Sequence, residues 1–395
     1  DRPLCHDYGD WTMSQHLLDN VGSAKLPIEI CSAEGALIWD KGGRSYWDFY
    51  GGHAVTLIGQ AHPTWIDALE RQARQLTFFT TLGPVAVRER AADALCAFTD
   101  MDVVFFVNSG AEANEAALKI ARKATGRSVI ISMELGFHGR TMGALGVTWK
   151  KRAQHAPAHG PTRFVPYGDL QALAEALDGD VAAIIVEPIQ GIAGIISPPA
   201  GYLLGLQTLA RENGSYVIAD EIQCGIGRTG VPLVSKAQGL SPDLVTVGKG
   251  LGGGFPVAAC LMTRAAANTT APGEHGTTFG GGPLACAAVE ATLQIVHEES
   301  LLERSLAVGQ ALHDKLRDIL GVVEVRGTGA WIGVQLDRPA KAVHGALIEQ
   351  GYLVGTSSDP NVLRLCPPAV MPLWACSQLA TALAGILALD ATVAA

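Results

Sequence analysis

Three short stretches hold residue types that could do chemistry together. Lys249 stands between Gly248 and Gly250, with Gly252, Gly253 and Gly254 beyond it. Asp220 and Glu221 close an apolar run that begins at Tyr216, and Asn108-Ser109-Gly110-Ala111 links the run Val103 to Val107 to a segment with helical spacing. A helix N-terminus offers unpaired N–H groups and a positive dipole end to an anion. A carboxylate holds a proton, and a lysine amine serves as nucleophile and base. Each stretch alone has a plainer explanation, Ser109 as an ordinary N-cap and Lys249 as a solvated loop lysine. All three fall at the carboxyl ends of successive strand-like runs, where α/β sheets bind ligands. The combination matches what pyridoxal phosphate needs: a nest for its phosphate, a carboxylate for its ring nitrogen and an amine for its aldehyde.

A competing reading fails on context. Gly225, Gly227 and Gly230, and again Gly248, Gly250 and Gly253, fit G-x-G-x-x-G. A dinucleotide fingerprint must open a helix, yet Val231-Pro232-Leu233-Val234 and Phe255-Pro256-Val257 follow instead. A nicotinamide-dependent oxidoreductase is therefore disfavoured. The eight cysteines include no C-x-x-C pair and no regular spacing to histidine, which reads as scattered reduced thiols in a cytoplasmic protein and assigns no metal.

The elements that must position these residues follow a βαβ rhythm. Val103–Val107, Ser128–Met133, Ala182–Val186, Tyr216–Ala219 and Leu244–Val247 are short apolar runs suited to buried parallel strands. Helical spacing fills the gaps over Ala111–Ala124, Leu170–Leu177 and Leu203–Asn213. Ahead of them, Ala36–Asp40 and Ser45–Phe49 form a hairpin around Lys41-Gly42-Gly43-Arg44, followed by helices from Pro63 and over Ala86–Phe98. Past about Ala288 a long amphipathic helix from Leu301 to Ile319, strands Val322–Arg326 and Trp331–Gln335, and a final Leu/Ala-rich helix predict a smaller α+β unit. The 395 residues are 48% hydrophobic and 17% charged, which excludes overall disorder. A net charge of −9 argues against nucleic-acid binding, and the longest apolar tract, Leu379–Leu389, is shorter than the roughly 20 residues a membrane span needs. The initial residue, Asp1, leaves room for a trimmed leader.

The ordered motifs resemble a known family. Asn108-Ser109-Gly110-Ala111-Glu112-Ala113-Asn114, Phe137-His138-Gly139-Arg140-Thr141, Glu187-Pro188-Ile189-Gln190-Gly191, Asp220-Glu221-Ile222-Gln223, Gly248-Lys249-Gly250 and Thr277-Thr278-Phe279-Gly280-Gly281 are similar to those of class III pyridoxal-phosphate aminotransferases. Within that class the chain looks most like the acetylornithine aminotransferase branch. The resemblance implies a fold-type I transferase of class α/β, with a mostly parallel sheet flanked by helices in a large domain and a smaller α+β domain. It divides into an N-terminal segment 1–59 packing with the small domain, a large cofactor-binding domain 60–287 and a C-terminal domain 288–395.

The resemblance also implies roles. Lys249 would hold the cofactor aldehyde as a Schiff base and then move the substrate proton. Asp220 would bind the ring nitrogen and Gln223 the ring oxygen, with Phe137 stacking on one face and Ile222 packing on the other. Ser109, Gly110 and Ala111 would hold the phosphate, with Thr278 arriving from a second subunit, so a homodimer with shared active sites is implied. Arg140 and Arg364 would bind substrate carboxylates. Glu187 would organise cofactor contacts, whereas His138 and Cys224 read as structural.

Two positions depart from relatives. Ornithine-type and aminobutyrate-type relatives carry Glu where Ile192 follows Gly191, and Ile or Tyr where His53 stands. In those relatives the glutamate neutralises the arginine that corresponds to Arg364 while an ω-amine donor is bound. The expected reaction is transfer of the ω-amino group of an acylated diamino acid, N-acetylornithine foremost, to 2-oxoglutarate, which places the enzyme in arginine biosynthesis. Carrier-linked lysine, succinylornithine and aminobutyrate stand as alternative donors, and a related isomerase or decarboxylase as an alternative reaction.

Overall fold

The computed structural model describes Leu26 and residues 28–149 and 160–393. Of the expected N-terminal segment, residues 1–25 and 27 lie outside the described residues.

The apolar runs form a seven-stranded sheet. With three strands of the N-terminal region, β1 (Ile30–Glu34), β2 (Leu37–Asp40) and β3 (Ser45–Asp48), numbered first, the sheet contains β4 (Val103–Val107), β5 (Val129–Met133), β6 (Thr162–Val165), β7 (Val181–Val186), β8 (Tyr216–Asp220), β9 (Leu244–Val247) and β10 (Ala258–Met262). Its order is β4-β10-β9-β8-β7-β5-β6. Only β10 is antiparallel, inserted between β4 and β9. It is Ala/Cys-rich with no β-branched residue, and β6 is a four-residue edge strand, so neither carries the compositional mark of a buried strand.

Alternation along each strand sends neighbouring residues to opposite faces. Ile131, Ile184 and Val245 pack on one side with helices Ala86–Thr99, Tyr202–Asn213 and Pro283–Glu298. On the other side Ile130, Ile185, Ile218 and Leu244 meet Ala117, Leu118 and Ala121 of helix Gly110–Thr125. The strands at the centre are thus covered on both faces, which is why they read as unbroken apolar runs.

A second core belongs to the C-terminal part. Strands β11 (Val322–Gly327), β12 (Ile332–Leu336), β14 (Gly355–Thr356) and β15 (Val362–Leu365) form an antiparallel sheet, with β13 (Tyr352–Leu353) immediately before β14. Helices Leu301–Leu316 and Leu373–Val393 cover it through Val308, Leu312, Leu379 and Leu383. The N-terminal hairpin joins this part of the molecule, because β13 pairs in parallel with β3 and Phe49 enters the same core. Helix Pro283–Glu298 runs unbroken through residues 287 and 288, where the sequence reading divides the chain, and packs on helices of the large core.

Six cysteines among the described residues are free thiols. Cys31 is disulfide-bonded, a departure from the expected set of scattered reduced thiols.

Candidate active site

Asp220, the last residue of β8, is the node of a buried polar network. Its Oδ2 accepts from Asn114 Nδ2 at 2.8 Å and pairs with His138 Nδ1 at 2.7 Å, while Oδ1 accepts from the Ile222 amide at 3.1 Å. Asn114 is itself fixed. Its Oδ1 accepts from Thr246 Oγ1 on β9 at 2.8 Å, and its Nδ2 also donates to the His138 carbonyl at 2.6 Å. Burial alone would lower the His138 pKa, but the Asp220 hydrogen bond and the negative charges of Asp220 and Glu187 outweigh it and raise the value. The same contact, with the Asn114 amide, fixes the orientation of the Asp220 carboxylate.

Two further groups act on this node. Lys249 follows β9 at φ +47°, a left-handed conformation that costs a non-glycine residue roughly 1–2 kcal/mol and turns its side chain into the site. Burial lowers its ammonium pKa, the charge of Arg364 pushes the same way, and Asp220 and Glu187 oppose. Glu187, directly after β7, accepts from the amides of Phe137 at 2.8 Å and Gly191 at 3.1 Å. Burial pushes its pKa up to about 7, with Asp220 adding to the rise and His138 and the two amides resisting it.

The anion cradle forms at the N-terminus of helix Gly110–Thr125. Ser109 caps it by accepting from the Glu112 amide, and Glu112 returns the contact to the Ser109 amide at 3.2 Å, a complete capping box. The amides of Gly110 and Ala111 are left to a ligand. A Cβ on Gly110 would lie 2.8 Å from Ile222 Cδ1, so glycine is required for the backbone to pass beneath that side chain.

A cavity of about 250 Å³ unites these parts. Gly110, Ala111, Phe137, Ile222, Asp220, Gln223 and Lys249 all line it. This donor set fits pyridoxal phosphate: amides at a helix end for a dianion, two apolar side chains for a flat ring, a fixed carboxylate for its nitrogen and an amine with a lowered pKa.

Arg140 and Ile192 also line the cavity, with the Arg140 guanidinium 5.7 Å from the Phe137 ring centre. Arg364, on β15, is buried; its Nε donates to the Thr356 carbonyl at 2.6 Å and its Nη1 to the Gly191 carbonyl at 3.5 Å. Among the described residues no carboxylate forms an ion pair with Arg364. His53 sits near these cations, for burial and the charges of Arg364, Lys249 and Arg140 all lower its pKa. Its backbone carbonyl accepts from Gln223 Nε2 at 3.3 Å, and its ring meets the Tyr50 hydroxyl, with Nε2 at 2.9 Å. Thr278 is exposed and does not line the cavity of this chain.

Asn114 and Thr246 carry no role in the sequence reading. One signal was present, since Asn114 is the polar residue among Ala113, Ala117, Leu118 and Ala121 on the buried side of its helix. The glycine patterns near residues 225–230 and 248–253 open no long helix; the second passes through a four-residue 3₁₀ turn, Lys249–Gly252.

Comparisons with known proteins give the family. The family model described as "Aminotransferase class-III" matches residues 19–387. An acetylornithine aminotransferase of Methanothermobacter thermautotrophicus is 42% identical over 353 residues, covering 88% of this chain and 90% of the relative. One from Corynebacterium efficiens is 42% identical over 388 residues, covering 95% of each. Among solved structures, an ornithine aminotransferase from Toxoplasma gondii superposes with a TM-score of 0.88 at 32% identity, covering 96% of this chain and 94% of that one. Another structure of that protein is described with partial occupancy of PLP at its active site. An acetylornithine aminotransferase from Elizabethkingia anophelis superposes with a TM-score of 0.83 at 31% identity, covering 92% and 95%.

Proposed function

The chain belongs to the class-III aminotransferases, enzymes that use pyridoxal 5'-phosphate, and on that premise we propose that it moves the ω-amino group of an acylated diamino acid of the N-acetylornithine type to 2-oxoglutarate, leaving a semialdehyde and glutamate. The observation that carries the donor class is identity of about 40% to acetylornithine aminotransferases over nine-tenths of the chain.

The cofactor, when bound, supplies an aldehyde that takes up amino groups and a protonated ring that draws electrons from the carbon losing a proton. The residues of this chain do the rest. Ser109 shapes the helix end at which the Gly110 and Ala111 amides would hold the phosphate, and Phe137 and Ile222 would pack on the ring. Asp220, oriented by His138 and Asn114, would pair with the ring nitrogen. Gln223 would contact the ring oxygen. Lys249 Nζ, whose burial favours the neutral amine, accepts the proton from the substrate carbon and returns it one bond further along. Arg140 and Arg364 receive the carboxylates of donor and acceptor, and Ile192 and His53 add no negative charge that would compete for them.

Two copies acting together are part of the same proposal. Phe78, Phe79, Leu82 and Phe279 are exposed, and the Phe78 and Phe279 rings lie 5.6 Å apart beside Thr278, an apolar surface suited to burial against a second subunit. A cytoplasmic location is supported by six free thiols among the described residues, although Cys31 is disulfide-bonded. Among the described residues no helix is long and apolar enough to cross a membrane.

A donor panel tests the reading. N-acetylornithine, N-succinylornithine, ornithine, 4-aminobutyrate and lysine, each with 2-oxoglutarate, are followed by glutamate formation. N-acetylornithine should give the highest kcat/KM, and a clear preference for an unacylated donor would defeat the proposal.

A further inference from the structure

Gly51, Gly52, His53 and Ala54 lie in succession at φ +59°, +55°, +66° and +72°. Two of them are not glycine, and each such residue costs roughly 1–2 kcal/mol in the left-handed region. Strain of this kind persists only where the surroundings over-determine it. This left-handed turn carries His53, near enough to Arg364 for its charge to act on the ring, and packs on Cys366, two residues beyond Arg364.

Two buried charges hold it. At its start Asp48 Oδ1 accepts from the amides of Tyr50 at 3.1 Å and Gly51 at 2.7 Å. At its end Arg228 Nη2 donates to the Ala54 carbonyl at 3.3 Å. Arg228 Nη1 donates to the carbonyls of Ala330 at 3.1 Å, Cys366 at 3.3 Å and Pro367. Cys366 lies two residues beyond Arg364, and its amide donates to the Phe49 carbonyl at 2.7 Å. The contact is close enough that a Cβ on Gly51 would fall 2.2 Å from the Cys366 oxygen. Asp48 and Arg228 are each 1% exposed and near enough for their charges to act on one another. A buried guanidinium whose hydrogen bonds all go to carbonyls is an expensive way to stabilise a core. Its five donors in a rigid plane suit a different task, holding several chain segments in one fixed arrangement.

We propose that Asp48 and Arg228 form a buried clamp, a pair of positioning residues that fixes the His53 turn and the chain beside Arg364 relative to one another, and so sets the pocket that receives a substrate carboxylate. The clamp rests on the reading of Arg364 as a carboxylate ligand.

Glutarate, a dicarboxylate with no amine, probes the clamp without turnover. Its binding to the holoenzyme is measured by calorimetry for wild type, Arg228→Met, Arg228→Lys and Asp48→Asn, alongside cofactor affinity and melting temperature. Arg228→Met should weaken glutarate about tenfold, the size of one lost charge-assisted hydrogen bond, with cofactor affinity changed by less than about threefold. Arg228→Lys should recover part of the loss. In turnover, KM for a carboxylate-bearing donor should rise more than kcat falls. Unchanged glutarate binding in the variants, or glutarate and cofactor affinity falling together, would overturn the clamp. A wild type that does not bind glutarate would do the same. Should Arg228→Met fail to fold, Arg228→Lys and Asp48→Asn decide on the same readouts, and collapse of all three shows a purely structural pair. Failure of N-acetylornithine as a donor would strike the donor assignment alone, because the glutarate comparison does not depend on it.

Discussion

Asp220 Oδ2 lies 2.7 Å from His138 Nδ1 and 2.8 Å from Asn114 Nδ2, so the carboxylate at the end of β8 is held in one orientation by two buried partners. Burial works to lower the His138 pKa, but the hydrogen bond and charge of Asp220 outweigh it and raise the value. Asp220→Asn removes the charge and keeps the shape. Turnover should fall by about a hundredfold or more, the usual size of a lost electrostatic stabiliser. Cofactor affinity, which rests largely on the phosphate cradle, should fall much less. Near-normal kcat with cofactor bound, read from absorbance titration and steady-state rates, would move the ring-nitrogen role elsewhere.

Lys249→Ala should abolish turnover while leaving the fold, because among the described residues no other lysine lines the cavity. Borohydride reduction of the wild type followed by peptide mapping should place the reduced cofactor on Lys249. Its recovery on Lys119 or Lys236 would defeat the assignment.

Glu187 gives the cofactor-free protein a pH dependence of definite sign. Its carboxyl is raised to about 7 by burial, above the ordinary 4.5, so the folded state binds this proton more tightly than the unfolded state. Stability should therefore fall as pH rises between those values, by at most about 3 kcal/mol. His138, also raised, acts in the same direction at higher pH: its contribution is complete below its ordinary 6.5 and is lost as pH rises through the raised value. Melting curves from about pH 5 to pH 8 should show a shallower decline for Glu187→Gln than for wild type, and parallel curves would contradict the assignment.

Ile192→Glu should place a carboxylate beside Arg364, whose hydrogen bonds now go to the Thr356 and Gly191 carbonyls. Pairing in this partly desolvated site should raise the preference for ω-amino over α-amino donors by about tenfold, as expected for a charge-assisted contact. Competing donors assayed against both proteins measure it. An unchanged ratio would mean that Arg364 does not govern donor choice.

The sequence by itself determined the strand and helix rhythm, because runs buried on both faces are continuously apolar and helices carry a 3.6-residue stripe. Lys249, Asp220 and Ser109–Ala111 were legible for the same local reason, each falling where an apolar run stops. Tertiary structure alone decided the rest. Thr246, Asn114 and Asp220 share one chain of hydrogen bonds although 132 and 106 residues separate the bonded pairs. Arg228 reaches carbonyls 102 to 174 residues away. Such contacts depend on strand order, on the antiparallel insertion of β10 and on how closely Gly51 and Gly110 let backbones approach. A sequence displays residue types and spacing, whereas a buried polar atom acquires its partner only when packing brings distant segments within about 3 Å of each other.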